Sequence, residues 1–193
     1  KLMDAAFVDT AEEQIACSAM VMSVLEIPVE AAARAMELGR KHGVKTLLNP
    51  APATALSDDI FRNIDYLTPN ETEVRILQGL PPDDPTPTRE LARRLLARGV
   101  KTLVVTMGEK GALVLDGGEE YHVPGILVDV VDTTGAGDAF NSGLAIALAE
   151  GMPLRDAVRY ATCSGALACT KLGVIPSLAR RDAVDELYRK HYA

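Results

Sequence analysis

The sequence has few cysteines, no excess of positive charge and no long apolar run, and each absence excludes a class of protein. Its three cysteines are an odd number and fit no metal-ligand spacing, which argues against a disulfide framework or a structural zinc site. Acidic residues outnumber basic ones by 27 to 20, so the formal charge of −7 argues against nonspecific binding to nucleic acid or to an anionic membrane. No apolar run could span a bilayer and no signal peptide is visible, so we expect free thiols in the cytoplasm.

Two common nucleotide-binding fingerprints are also missing. A Walker A loop ends in Gly-Lys-Ser/Thr, and no such triplet occurs. A Rossmann fingerprint needs a glycine three residues after Gly137, where this sequence has Phe140. The run Asp132-Thr133-Thr134-Gly135 resembles an aspartic protease loop, but it has one threonine too many and occurs once.

What the chain does have is an alternation of strand and helix patterns in 193 residues, 48% of them hydrophobic, enough for one domain with a sizeable core. Strands are predicted at residues 15–25, 44–48, 64–67 and 101–106, and a further strand-like run at 126–131. Helices are predicted at residues 29–42, 71–77, 88–98, 137–149, 154–170 and 178–188. Asp116-Gly117-Gly118 predicts a hairpin. Short connections between strands and helices predict a mostly parallel sheet covered by helices on both faces.

The most informative segment is residues 132–138, called here the glycine turn. Gly135, Ala136 and Gly137 carry almost no side chain, so their N–H groups can face one point at the start of a predicted helix. Such a point suits an anion, for instance a phosphoryl group in transfer. Asp138 adds a carboxylate that could accept a proton from an attacking hydroxyl. The alternative is that Asp138 only caps the helix.

Five segments together resemble the ribokinase-like (PfkB-type) family of sugar kinases. The glycine turn matches the family's most diagnostic loop. The other four match the ribokinase branch in the expected order: residues 49–53, 68–73, 106–111 and 170–177. The resemblance implies a ribokinase-like three-layer α/β/α fold with a mostly parallel central sheet.

The resemblance also implies an enzyme that phosphorylates D-ribose with ATP to give D-ribose 5-phosphate. Asp138 would be the base that deprotonates the sugar's primary hydroxyl, and Gly135, Ala136 and Gly137 would form the anion hole. Glu26 matches a glutamate that contacts the sugar, as Asp138 would. The alternative for Glu26 is a surface carboxylate before Pro28.

Cofactor contacts are implied at several further positions. Asn70 and Glu73 match the family's Asn-x-x-Glu element, associated with Mg²⁺ and phosphate, although Asn70 could instead simply cap its helix. Nucleotide contacts are implied for the residues Thr106, Gly108, Gly111, Gly137 and Thr162. For Gly111 the alternative is a plain turn.

A monovalent-cation site for K⁺ is implied beside the anion hole, largely through backbone carbonyls. Its residues would be Asp132, Thr134, Ala168, Lys171, Gly173 and Ser177. Without the family, Gly173 would be a residue ending a helix and Ser177 an N-cap.

The resemblance covers nearly the whole chain but only the C-terminal part of the family's fold. We therefore expect residues 1–193 to be the C-terminal portion of one kinase domain. We expect the N-terminal part to be absent, with its Gly-Gly-rich sugar loop and the β-sheet lid that mediates dimerisation. The full-length form would be a homodimer, and this shortened chain alone would phosphorylate sugar poorly or not at all. The alternatives are another sugar or nucleoside kinase of the family and a non-catalytic nucleotide-binding fragment.

Overall fold

The computed structural model describes residues 3–192, which divide into two compact units. The first contains the residues up to Thr106 together with Leu113–Tyr121. The second contains Met107–Ala112 and the residues from His122 onwards. The expectation of one domain over residues 1–193 stays a prediction.

The first unit is built on a six-stranded sheet whose strands lie side by side in chain order. The strands are β1 (Met20–Val24), β2 (Lys45–Asn49), β3 (Tyr66–Leu67), β4 (Thr102–Thr106), β5 (Ala112–Asp116) and β6 (Glu119–Val123). Strands β1 to β4 are parallel, with Leu47 opposite Tyr66 and Leu67 opposite Leu103. The connections at residues 107–111 and 117–118 are too short for a parallel crossover. Strand β5 therefore runs antiparallel to β4, and β6 runs antiparallel to β5.

The described residues of this unit form six helices: α1 (Ala5–Asp9), α2 (Glu12–Ala16), α3 (Val29–Lys41), α4 (Asp58–Phe61), α5 (Glu71–Ile76) and α6 (Thr88–Leu96). Because parallel crossovers are right-handed and the strands follow chain order, α3 to α6 lie on one face of the sheet. Helix α3 lies so close to β2 that a methyl group on Gly39 would be 2.6 Å from Cγ2 of Thr46. The core between these layers is apolar, with Met36, Leu47, Phe61, Leu67, Leu91 and Leu103 fully buried.

Four helices form the bulk of the second unit: α7 (Ala136–Ala149), α8 (Leu154–Ala168), α9 (Val174–Ser177) and α10 (Arg181–Tyr192). Helices α7 and α8 approach closely because glycines lie at their contact. A methyl group on Gly143 would be 3.2 Å from Cα of Ala161. Helix α10 is held to α8 by the Tyr160 hydroxyl, which donates to Asp185 at 2.9 Å, and by a tilted contact between the rings of Tyr160 and Tyr188. Within residues 3–192, no helix combines the length and apolar character needed to cross a membrane.

Two strand predictions were wrong. Residues 15–25 do not form one strand, because the acidic pair Glu12-Glu13 begins helix α2 and the strand starts only at Met20. Residues 126–131 form no strand in the described chain; Leu127 is 89% exposed and no neighbouring strand pairs with the segment. The remaining strands, the hairpin and the α/β class with a mostly parallel sheet are confirmed.

Candidate active site

The glycine turn runs into the N-terminus of α7, the 14-residue helix of the second unit. Gly135 is the N-cap and has φ = +79°, a left-handed conformation that favours glycine. The N–H of Ala136 donates to the Thr133 carbonyl at 3.2 Å. Among residues 3–192, the N–H groups of Gly135, Gly137 and Asp138 have no hydrogen-bond acceptor. The turn therefore offers three unpaired donors at the positive end of a helix.

Asp138 is the third residue of α7 and is exposed. Its carboxylate has no hydrogen-bond or ion-pair partner within the described chain, so it is available to a ligand. The helix N-cap is Gly135, which has no side chain, so the alternative that Asp138 caps the helix is wrong.

Asp132 fixes the shape of the turn. Its Oδ1 accepts the N–H of Thr134 at 2.9 Å and its hydroxyl at 2.7 Å, while Oδ2 accepts the N–H of Gly173 at 3.0 Å. The Thr134 hydroxyl, followed by these two N–H groups, holds the pKa of the Asp132 carboxyl below its usual range. Asp132 is thus an ionised link between the turn and the segment before α9.

Further contacts hold the same two segments together. The Cys169 carbonyl accepts the N–H groups of Val131 at 2.8 Å and Asp132 at 3.2 Å. A methyl group on Gly135 would lie 2.9 Å from Cγ1 of Val174, so α9 covers the turn. The pKa of the Cys169 thiol is raised by burial and by the negative charge of Asp132.

The residues predicted to hold K⁺ are partly brought together. Asp132, Thr134 and Gly173 are joined by hydrogen bonds, and Ala168 precedes the carbonyl of Cys169 that contacts the turn. Ser177 is buried, and its N–H donates to the Gly173 carbonyl at 3.2 Å. Lys171 is exposed. Carboxylate and carbonyl oxygens fit the hard-ligand chemistry of an alkali cation.

In the first unit, Asn70 and Glu73 form a capping box at the start of α5. The Asn70 side chain accepts the N–H of Glu73 at 2.8 Å, and Oε2 of Glu73 accepts the N–H of Asn70 at 2.8 Å. The alternative that Asn70 caps its helix is therefore confirmed. Burial raises the pKa of Glu73, although the Asn70 N–H opposes this. Oε1 of Glu73 has no protein partner among residues 3–192, and a carboxylate oxygen of this kind fits hydrated Mg²⁺.

The other predicted ligand-binding residues of this unit follow strand ends. Thr106 ends β4 and is bridged to Asn70, while its N–H donates to the Pro69 carbonyl at 2.9 Å. Glu26 is exposed just after β1, where the N–H of Leu25 donates to the Ala51 carbonyl at 3.0 Å. Both positions lie at the carboxyl ends of parallel strands, where α/β folds place ligands.

Gly108, Gly111 and Thr162 belong to the second unit. Gly108 begins a 3₁₀ turn at φ = +57°, with open space where a side chain would be. A methyl group on Gly111 would be 2.1 Å from the Val123 carbonyl oxygen, so a contact between backbones requires this glycine. Thr162 is buried, and its hydroxyl donates to the Val158 carbonyl within α8.

Sequence reasoning missed three residues that shape these turns. A methyl group on Gly125 would be 2.1 Å from the Glu109 carbonyl oxygen, and one on Gly165 would be 3.2 Å from the Ala136 carbonyl oxygen. Asn141 is buried in α7 and donates to the Gly137 carbonyl. The available signals were the amide inside an apolar helix and the small-residue run around Gly165.

Comparison with known proteins gives a consistent picture. A family model described as pfkB family carbohydrate kinase matches residues 4–181. The chain is 38% identical to a ribokinase of Haemophilus influenzae over 170 residues, covering 88% of the chain and 56% of that protein. It is 39% identical to a deoxyribokinase of Salmonella typhi over 167 residues, covering 86% of the chain and 55% of that protein.

The fold is shared with solved structures. The Arabidopsis thaliana ribokinase complexed with ribose and ATP superposes with a TM-score of 0.87 at 30% identity, covering 94% of this chain and 59% of that one. This similarity supports the ribokinase-like fold predicted above. The chain spans less than two thirds of the length of each of these relatives.

Proposed function

The chain belongs to the pfkB family of carbohydrate kinases, and from that membership we propose that its full gene product phosphorylates D-ribose with ATP to D-ribose 5-phosphate. The observation that carries the proposal is the start of α7, where the unpaired N–H groups of Gly135, Gly137 and Asp138 lie beside an unpaired exposed carboxylate. An anion-binding turn with a base next to it is what transfer of a phosphoryl group to a hydroxyl needs.

In this mechanism the Asp138 carboxylate takes the proton from the attacking sugar hydroxyl. The free N–H groups of the turn stabilise the negative charge on the phosphoryl oxygens as it develops. Each donor of this kind is typically worth a factor of about 10²–10³ in kcat. Asp132 holds the turn in shape through Thr134 and Gly173.

Two cations are part of the proposal. Mg²⁺, held through water at Glu73 and the phosphates, would neutralise phosphate charge. K⁺, held by oxygens of Asp132, Thr134, Ala168, Lys171, Gly173 and Ser177, would add positive charge beside the turn. Nucleotide contacts are proposed at Thr106, Gly108, Gly111 and Thr162, and a sugar contact at Glu26. We also propose a homodimeric, cytoplasmic protein without nucleic-acid or membrane partners.

The test compares Asp138→Asn with a matched control in the full gene product. Loss of the base should reduce kcat by about 10²–10⁴ and leave ATP binding by calorimetry unchanged. Asp156→Asn is the control, because Asp156 lies in the first turn of α8 as Asp138 does in α7. Turnover of Asp138→Asn within a few-fold of wild type would remove Asp138 from its role.

A second candidate substrate is 2-deoxyribose, favoured by the 39% identity to a deoxyribokinase. A panel of ribose, deoxyribose and nucleosides, compared by kcat/KM, separates these possibilities. ATP binding without turnover on any acceptor would favour a non-catalytic nucleotide-binding protein.

A further inference from the structure

Asn141 lies one turn after the base on α7 and is 4% exposed. Its Nδ2 donates to the carbonyl oxygen of Gly137 at 2.9 Å. The orientation of the amide is fixed, because a carbonyl oxygen can accept but not donate a hydrogen bond. Its Oδ1 is consequently directed elsewhere, and it is the buried side-chain acceptor that has no partner within residues 3–192.

A buried acceptor without a partner lowers stability, and an apolar side chain would avoid that cost. A polar side chain that donates to the carbonyl four residues back adds little stability to a helix, because that carbonyl already accepts a backbone N–H. The contribution of Asn141 therefore lies in its donor and in the group that receives it.

That group is the peptide unit between Gly137 and Asp138. The oxygen of this unit is on Gly137, and its N–H is the unpaired donor of Asp138. In an α-helix the oxygen already accepts the N–H of Asn141, so the side chain adds a second donor. Resonance couples the two ends of a peptide, so a hydrogen bond accepted by the oxygen makes the N–H a stronger donor. The two hydrogen bonds at the oxygen also fix the orientation of the peptide plane.

We propose that Asn141 is a positioning residue for phosphoryl transfer: it polarises and orients the Gly137–Asp138 peptide, whose N–H stabilises the transferred group. This inference rests on the proposed function of the turn. In this role Asn141, which is buried, makes no contact with substrate or phosphate. It acts through one donor of the anion hole, so its effect belongs to kcat rather than to ground-state binding of ATP.

The test uses a pair of variants that differ in one oxygen atom. Asn141→Ala and Asn141→Ser both remove the amide and leave similar space, but only serine can donate to the carbonyl four residues back. In the full gene product, Asn141→Ala should lower kcat about 5-fold or more, with the KM for ATP within about 2-fold. Asn141→Ser should stay within about 2-fold of wild type in both.

Gln78→Ala is the control for stability. Gln78 is half-buried, and its side-chain amide also donates to the carbonyl four residues back, that of Val74, at 3.0 Å. This variant should lower thermal stability and leave kcat unchanged. If Asn141→Ala does not fold, the equally shaped pair Asn141→Thr and Asn141→Val repeats the comparison of donor with no donor.

Equal kcat values for the alanine and serine variants would overturn the inference. The proposed function would still stand in that case, provided that the wild-type protein phosphorylates the sugar. If wild type phosphorylates no sugar, the proposed function fails and a titration with inorganic phosphate decides the inference. Phosphate binding, followed by the amide resonance of Asp138, should then be weaker in Asn141→Ala than in Asn141→Ser. Equal affinities would overturn it.

Discussion

Replacing Gly135 with alanine tests how the glycine turn is held against α9. The backbone at Gly135 has φ = +79°, and alanine in this left-handed region costs about 1–2 kcal/mol. The new methyl group would also lie 2.9 Å from Cγ1 of Val174, and overpacking of this kind typically costs about 1–3 kcal/mol. Since Val174 is 38% exposed and can yield, we expect a total loss of about 2–4 kcal/mol in the free energy of unfolding.

The two causes can be separated with a second substitution. Val174→Ala alone removes two partly exposed methyl groups and should cost about 1 kcal/mol. In the double variant the overpacking disappears while the backbone cost remains. The double variant should therefore be more stable than the sum of the single effects predicts, by about 1–2 kcal/mol.

The free energies are measured by urea unfolding followed by far-ultraviolet circular dichroism, since the chain has no tryptophan. Amide hydrogen exchange in α7 locates the effect, because the two compact units need not unfold together. Single effects that add to within about 0.5 kcal/mol would refute the packing of α9 on the turn. An unchanged stability of Gly135→Ala would refute the left-handed conformation as well.

Two further predictions concern titratable groups. Burial raises the pKa of Glu73 in the folded chain, so the folded state favours its protonated form and loses stability as pH rises from the ordinary glutamate range through the raised pKa. Glu73→Gln keeps an acceptor but does not titrate. The free energy of unfolding of this variant minus that of the wild type should therefore rise across that range, as measured by urea titrations from pH 4 to 7. A difference that does not change with pH would contradict this. In thiol labelling followed by mass spectrometry, exposed Cys17 should react first and Cys169 more slowly. Cys163, whose pKa burial raises to about 12, should react only on unfolding, and early labelling of it would show that α8 is not packed as described.

The elements that the sequence predicted well are those with a local signal. The alternative that Asn70 caps its helix came from an asparagine that precedes a helical pattern, and the structure shows this cap with the reciprocal bond from Glu73. The hairpin at residues 116–118 followed from its glycines. The unpaired N–H groups at the start of α7 were expected from the small residues of the turn, although the N–H of Ala136 proved to be bonded to Thr133.

The features that the sequence did not predict depend on contacts across the chain. The segment at 126–131 has β-branched residues, but no neighbouring strand pairs with it, so propensity alone gave a wrong strand. The need for glycine at positions 125 and 165 comes from carbonyl groups of Glu109 and Ala136. Asn141 was recognisable only as an amide inside an apolar helix, because its importance depends on which carbonyl it reaches.

The hydrogen bond from the N–H of Gly173 to Asp132 joins positions 41 residues apart. During synthesis, Gly173 therefore leaves the ribosome well after the glycines of the turn. Until the segment that contains Gly173 has folded onto the turn, the Asp132 carboxylate is hydrogen-bonded only to Thr134. Helix α7 then begins at a turn that lacks its bond to Gly173. The hydrogen bonds that hold the turn are thus complete only after the segment before α9 has been synthesised and has folded onto it.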